Sequence, residues 1–109
     1  MRQASDLSIS LRKDKKEKPG KGELVPFGKT FSDHMLTIDW TRQNGWEKPQ
    51  IIPYGPVKMS LAATVLHYGI SAFEGFTAAK GVDGTSLYAF RPEQHISNFS
   101  NSSHHLDMP

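Results

Sequence analysis

The stretch Leu66-His67-Tyr68-Gly69-Ile70-Ser71-Ala72-Phe73-Glu74-Gly75-Phe76 is the most informative part of this 109-residue sequence. Its order of aromatic, acidic and glycine residues is too particular for a generic core segment. On spacing alone, Phe73 and Phe76 fit core packing, because aromatic stripes usually belong to a core. Glu74 fits a helix-end residue that is hydrogen-bonded to nearby backbone. Tyr68 differs, since one hydroxyl on an apolar wall can orient a carboxylate in a hydrophobic pocket.

The residues around this stretch predict a helix over about 61–73. Ser60 is a plausible N-cap, and Gly75 stands where such a helix would end. Apolar and small side chains recur at helical spacing, namely Leu61, Val65, Tyr68 and Ala72.

The sequence after Gly75 predicts a hairpin and a second helix. A strand over 76–80 is followed by the turn Asp83-Gly84 and by a partner strand over 86–90. Pro92 suits the first turn of a last helix over about 93–106. That helix is expected to be weak without neighbours, because it is rich in serine and asparagine.

The sequence before the helix predicts two more strands. Apolar side chains alternate over 34–40 and share one face, namely Leu36, Ile38 and Trp40. Asn44-Gly45 is a strong turn signal that separates this strand from a second run over 50–54. Pro49 and Pro53 place that second run at a sheet edge or make it irregular. The fold class is therefore α+β, with antiparallel strands and two helices.

Composition limits the classes of protein that this sequence can represent. At 109 residues it forms one domain at most, and it contains no cysteine. No apolar run is long enough to span a membrane, and the basic N-terminus lacks the apolar core of a secretory signal peptide. Acidic residues near the N-terminus argue against a mitochondrial presequence, so we expect a cytoplasmic location, with a mitochondrial one as the alternative.

Positive charge is concentrated at the N-terminus. Residues 1–29 hold 8 Lys and Arg against 4 Asp and Glu, whereas residues 30–109 hold 5 against 7. We interpret 1–26 as a flexible basic arm that precedes the folded part of the chain. This arm mixes positive and negative side chains and has no aromatic residues between them, which argues against nucleic acid as a partner. No membrane partner is expected.

Common catalytic and metal-binding motifs are not found in the sequence. It contains no nucleophile elbow, no P-loop and no dinucleotide fingerprint. His104 and His105 with Asp107 are a poor chelate, because adjacent helical residues face different ways, so no metal is expected. His67 is interpreted as a buried, hydrogen-bonded histidine rather than a catalyst.

Several ordered motifs over about 23–109 together resemble the N-terminal part of the eukaryotic branched-chain amino acid aminotransferases. These are pyridoxal-phosphate enzymes of the D-amino-acid-aminotransferase-like fold. The resemblance implies that residues 27–109 form an incomplete N-terminal small domain of that fold. The motifs are Phe27-Gly28-Lys29-Thr30-Phe31-Ser32-Asp33-His34-Met35-Leu36, Gly45-Trp46, Leu66-His67-Tyr68-Gly69, Phe73-Glu74-Gly75, Phe90-Arg91-Pro92 and Leu106-Asp107-Met108-Pro109.

The resemblance implies roles for individual residues. Phe27 and Phe73 match aromatics that line the pocket for leucine, isoleucine and valine, which fits the preference of branched side chains for an apolar slot. Tyr68 matches a tyrosine that reaches the active site of the other subunit in the family's homodimer. The implied substrates are branched-chain amino acids and 2-oxo acids such as 2-oxoglutarate.

The sequence also departs from the family pattern. The family's Schiff-base lysine lies beyond residue 109, so no catalytic residue is assigned and we expect the chain alone to be inactive. Asn98 stands where the family has an arginine that binds the cofactor phosphate, and an asparagine brings no charge. Further positions that are usually basic carry Thr77, Asn101 and His105.

Three hypotheses therefore remain from the sequence. The first is an N-terminal fragment of a branched-chain aminotransferase. The second is a non-catalytic interaction module that pairs with full-length aminotransferase subunits. The third, a binding protein with a basic tail, depends only on the charge of the arm.

Overall fold

The computed structural model describes residues 4–109, which contain two α-helices and seven short strands in three small sheets. The chain divides into two compact units, Met1–Val57 and Lys58–Pro109, whereas the sequence was interpreted as an arm and one domain. The α+β class with two helices and mainly antiparallel strands is confirmed. The proposed boundary at residue 26 remains a prediction. The first three residues of the predicted basic arm lie outside the described part of the chain.

A three-stranded sheet forms the centre of the first unit. Strand β1 (Ser8–Ile9) pairs in parallel with β5 (Gln50–Pro53), and β2 (His34–Thr37) pairs with β5 in antiparallel orientation. The prediction that Pro49 and Pro53 place this run at an edge or make it irregular is wrong, because β5 is the regular central strand. Pro53 ends the strand and Pro49 lies just outside it, so neither missing N–H interrupts the ladder.

A two-stranded hairpin lies between β2 and β5. It consists of β3 (Trp40–Thr41) and β4 (Gly45–Trp46), with Trp40 opposite Trp46. A turn is present at the expected place and Gly45 has a positive φ of 70°, but this turn joins β3 to β4 and does not lead from the first strand to the run over 50–54. The strand expected over 34–40 is interrupted after Thr37, because the chain leaves the β5 ladder and enters this hairpin.

The first helix of the second unit is shorter than predicted. Helix α1 spans Thr64–Tyr68 and ends at Gly69, which is in the left-handed conformation and donates its N–H to the Val65 carbonyl. The predicted end at Gly75 is wrong, because Gly69 already satisfies the C-terminal carbonyl. Ser60 does not cap α1; its hydroxyl instead accepts the Ala62 N–H in the preceding turn, at 3.2 Å.

The hairpin and the last helix of the second unit match the prediction closely. Strands β6 (Ala78–Lys80) and β7 (Leu87–Ala89) pair in antiparallel orientation around the turn at Asp83-Gly84. Helix α2 spans Pro92–His105 with its proline in the first turn. Arg91 precedes it in a left-handed conformation, with φ of 48°.

No hydrophobic side chain within residues 4–109 is buried. The accessible surface is 10110 Å², whereas a compact monomer of this mass exposes about 6,000 Å². The described residues therefore form no buried core, and the shared apolar face of Leu36, Ile38 and Trp40 is exposed. In the part of the chain that the structure describes, no helix is long and apolar enough to cross a membrane.

Candidate functional site

Phe27 lies at the tip of a tight turn in the first unit. The N–H of Lys29 donates to the Pro26 carbonyl at 3.2 Å, and Gly28 supplies the positive φ of 71° that such a turn requires at its third residue. The Phe27 ring is fully exposed, at 104% of its reference area. The turn therefore presents the ring outward from the backbone, without cover from its own unit.

Tyr68 and Phe73 are presented by two different pieces of the second unit. Tyr68 is the last residue of α1, and Phe73 lies in the irregular segment between Gly69 and β6. Their exposures are 79% and 89%. The interpretation of Phe73 as a buried core residue is therefore wrong, because nothing within its unit covers the ring.

The second unit contains an apolar hollow of about 240 Å³ that Tyr68 and Phe73 do not line. Its walls come from the irregular segment and from the first two turns of α2, namely Glu74, Phe76, His95, Ile96 and Phe99. One residue that lines the hollow, Glu74, directly follows Phe73 in the sequence. The three residues predicted to bind substrate do not line it.

A hydrogen bond links the two walls of this hollow. A carboxylate oxygen of Glu74 lies 2.7 Å from Nδ1 of His95, and the two side chains are only 27% and 29% exposed. The Phe76 ring stacks on the His95 imidazole, with centroids 5.7 Å apart. Glu74 was expected to bond nearby backbone at a helix end; instead α1 stops six residues earlier and the carboxylate reaches a different helix.

Sequence reasoning did not single out His95. It lies 21 residues from Glu74, and no local spacing rule connects a loop carboxylate to a histidine in the first turn of a later helix. The only available signal was that two ionisable residues flank a predicted hairpin. The hairpin β6–β7 returns the chain and makes the contact possible.

Asn98 lies on the exposed surface of α2, in a hydrogen-bonded row with Gln94 and Arg91. The Gln94 amide donates to Asn98 Oδ1 at 3.2 Å, and Gln94 in turn accepts from Arg91 at 3.4 Å. The amide at position 98 carries no charge, whereas a phosphate group is best held by cationic donors. Asn98 therefore does not supply the cationic anchor that fits the phosphate group of pyridoxal phosphate.

His67 and His105 are engaged in local hydrogen bonds. His67 Nε2 donates to the Leu61 carbonyl at 2.5 Å, and His105 Nδ1 donates to the Asn101 carbonyl at 2.7 Å. The hydrogen bond expected for His67 is therefore present, although the residue is exposed rather than buried. Across residues 4–109, no group of three or more His, Cys, Asp and Glu side chains is placed to hold a metal ion.

A second hollow, of about 430 Å³, lies in the first unit between the basic segment around Lys16 and the chain that leads into β2. The Lys16 N–H donates to Asp33 Oδ1 at 2.8 Å, and its ammonium donates to the Ser32 carbonyl at 3.1 Å. The Lys16 N–H is also the largest cause that lowers the pKa of the Asp33 carboxyl. His34 Nε2 accepts the Arg12 N–H at 2.9 Å. These groups bind one another, which favours a structural role.

No family model matches the chain, but curated proteins do. It is 43% identical over 106 residues to the cytosolic branched-chain-amino-acid aminotransferase of Mus musculus, covering 97% of the chain and 27% of that protein. It is 43% identical over 103 residues to a probable branched-chain-amino-acid aminotransferase of Staphylococcus aureus, covering 94% and 28%. A relative from Mycolicibacterium smegmatis is 45% identical over 83 residues, covering 76% and 22%.

These matches place the chain among aminotransferase sequences. More particularly, it is a homologue of the branched-chain-amino-acid aminotransferases and corresponds to their N-terminal region. The resemblance predicted from the ordered motifs is thereby confirmed. The chain spans about a quarter of the length of the curated relatives it matches. Relatives named cytosolic and mitochondrial both occur, at 43% and 37% identity.

Proposed function

We propose that this chain supplies part of the amino-acid pocket of a branched-chain aminotransferase. The assembled enzyme moves an amino group between leucine, isoleucine or valine and 2-oxoglutarate, and its location is cytoplasmic. The identity of 43% over 97% of the chain supports this function. Because the chain spans 27% of that relative, we assign the reaction to the assembly and expect the 109 residues alone to be inactive.

The exposure of Phe73 is the observation that carries this proposal. A phenylalanine ring that is 89% exposed forgoes about 1.5–3 kcal/mol of burial, which favours a role that begins when another molecule covers it. Phe27 and Phe73 would form apolar walls for a branched side chain, and the Tyr68 hydroxyl would orient a polar group of the substrate. In this proposal the chain forms part of the small domain of the D-amino-acid-aminotransferase-like fold and assembles as a homodimer.

Pyridoxal phosphate supplies the electron sink in this family when it is bound. The neutral Asn98 does not fit its phosphate, so we assign the phosphate anchor to other parts of the assembly. The residues of this chain then have three tasks: they bind the aliphatic side chain, orient the substrate and exclude water. None of these tasks requires the chain to hold the cofactor itself.

Complementation tests the proposal. The Mus musculus relative is expressed without the 106 residues matched here, alone and together with this chain, and transamination of leucine with 2-oxoglutarate is measured. Activity that requires both pieces supports the proposal. Phe73→Ala is expected to raise KM for leucine about tenfold, as for loss of a well-filled apolar contact, while the matched control Phe90→Ala leaves it unchanged.

Tyr68→Phe removes only the hydroxyl and has Tyr88→Phe as its matched control. The assignment of the pocket would be overturned if Phe73→Ala and Tyr68→Phe each changed KM for leucine no more than their control variants do.

The alternative function is a non-catalytic module that pairs with complete aminotransferase subunits. The lack of a buried core within the described residues favours a partner of some kind. Co-purification with an intact relative, combined with failure to restore activity to the truncated one, would replace the pocket proposal with this alternative.

A further inference from the structure

The segment between α1 and β6 lacks regular secondary structure. Within the described part of the chain, no backbone hydrogen bond involves residues 70–76. This segment nevertheless carries Phe73, whose ring must point in one direction if it is to form a wall. Side-chain contacts must therefore supply the order that the backbone does not.

Glu74 and His95 provide such a contact. The two atoms that meet, Glu74 Oε1 and His95 Nδ1, are 2.7 Å apart. An ionised carboxylate can only accept hydrogen bonds, so the donor is the Nδ1–H of His95. This hydrogen bond sets the orientation of the imidazole ring. Both side chains are less than one-third exposed, so water screens the pair less than a fully exposed one.

Phe76 adds a second contact on the same imidazole. Its ring stacks on His95 with a centroid separation of 5.7 Å and an interplanar angle of 30°. His95 is therefore held from two sides by residues of one segment, and Glu74 and Phe76 are separated by a single glycine. Two attachments only two residues apart restrict the rotation of the chain between them more than either one alone.

We propose that His95, with Glu74 and Phe76, forms a clasp that positions Phe73 and so sets the selectivity of the branched-chain pocket. Adjacent Cα atoms are about 3.8 Å apart, so fixing Glu74 fixes the base of the Phe73 side chain. His95 acts through its neighbours and is a positioning residue. This inference rests on the proposed function only for the selectivity; the clasp itself rests on the contacts above.

The clasp is tested by backbone order in the full 109-residue chain. Nitrogen-15 relaxation is measured for residues 70–76 in the unmodified chain, in His95→Leu and in Glu74→Ala. We expect order parameters near 0.85 in the unmodified chain and below about 0.6 in His95→Leu. His95→Gln retains an N–H donor and is expected to recover part of the order.

His105→Leu is the matched control, because His105 lies on the same helix but bonds only the local Asn101 carbonyl. Circular dichroism confirms that α2 persists in each variant. If His95→Leu unfolds the helix, Glu74→Ala, which removes the acceptor of the His95 Nδ1–H and leaves α2 unaltered, decides the result. Order parameters over 70–76 that stay unchanged in folded variants would overturn the clasp.

Selectivity is tested in the complemented enzyme by comparing kcat/KM for leucine and valine. We expect His95→Leu to change the ratio by about threefold, within the usual net contribution of a single hydrogen bond, mainly through KM. An unchanged ratio would overturn the role in selectivity. If the unmodified assembly shows no transamination, the proposed function fails, whereas the relaxation measurements still decide whether the clasp exists.

Discussion

The rings of Phe31 and Tyr54 stack with their centroids 4.6 Å apart and their planes 11° apart. Phe31 precedes β2 and Tyr54 follows β5, so the stack extends the pairing of these strands beyond their last paired residues. The Tyr54 N–H also donates to the Asp33 carbonyl at 2.9 Å. The Lys16 ammonium lies 4.9 Å from the centroid of the same ring. One aromatic pair therefore joins the sheet to the basic segment.

Replacing Phe31 with leucine is expected to lower the free energy of unfolding of the first unit. The loss should be about 0.5–1.5 kcal/mol, the usual contribution of an aromatic pair beyond its buried area. Urea unfolding followed by tryptophan fluorescence measures it, because Trp40 and Trp46 both lie in this unit. Phe27→Leu alters an uncovered ring in the same unit and should be neutral; equal losses would contradict the prediction.

Acid is expected to loosen the β6–β7 hairpin through Asp83. The Ser86 hydroxyl is the largest cause that lowers the Asp83 pKa from 3.8 to about 2, and the backbone N–H groups of Ser86 and Thr85 add to it. Because the folded pKa lies below the unfolded one, this stabilisation is complete above pH 3.8 and is lost as the pH falls through about 2.

A carbon-13 titration of the Asp83 carboxyl, read together with the Thr85 and Ser86 amide shifts, measures the effect. Asp83→Asn should abolish the acid transition of those amides. A midpoint near the ordinary aspartate value in the folded chain would refute the assignment.

Asp107→Gly is expected to stabilise α2. The Met108 N–H donates to the Ser103 carbonyl and the Asp107 N–H to the His104 carbonyl, which together form a Schellman motif. Asp107 adopts the left-handed conformation, with φ of 53°, where an L-residue costs about 1 kcal/mol more than glycine. Thermal unfolding followed at 222 nm should shift upward. Asp107→Ala removes the charge but keeps the strain, so a gain of equal size there would point to the charge instead.

Asn98→Arg is expected to improve binding of pyridoxal phosphate by the complemented enzyme. A charged donor replaces a neutral one, which should tighten binding about fivefold. Ser97→Arg adds the same charge to the neighbouring helix position, which faces about 100° away, and serves as the control. Dissociation constants from absorbance titration report the effect without any measurement of turnover. Equal tightening in both variants would indicate a general effect of charge.

Local signals were sufficient where turn and cap chemistry alone decides the structure. Asp83-Gly84 closes a hairpin because aspartate bonds the following N–H groups and Gly84 accepts a positive φ. Pro92 starts α2 because its fixed φ suits a first helical turn. Gly69 likewise indicates the end of α1. The helix was predicted to continue past it because apolar and small residues recur at helical spacing as far as Ala72.

Long-range pairing was outside the reach of these rules. The central position of β5 depends on β1 adding to its free side, and a two-residue strand has no recognisable pattern. The Glu74–His95 pair depends on the hairpin that folds residues 21 apart onto each other. Predicting Phe73 as core failed because spacing reports which side chains are apolar, while burial depends on what lies opposite.

The order of residues by itself determined the relationship to branched-chain aminotransferases, the hairpin β6–β7 and the start of α2, since each depends on side chains close together along the chain. Tertiary structure alone decided which strand lies in the middle of the sheet, which aromatic rings stay uncovered and which imidazole meets the Glu74 carboxylate. Those outcomes depend on the distance between groups far apart in sequence, and only the folded backbone sets that distance.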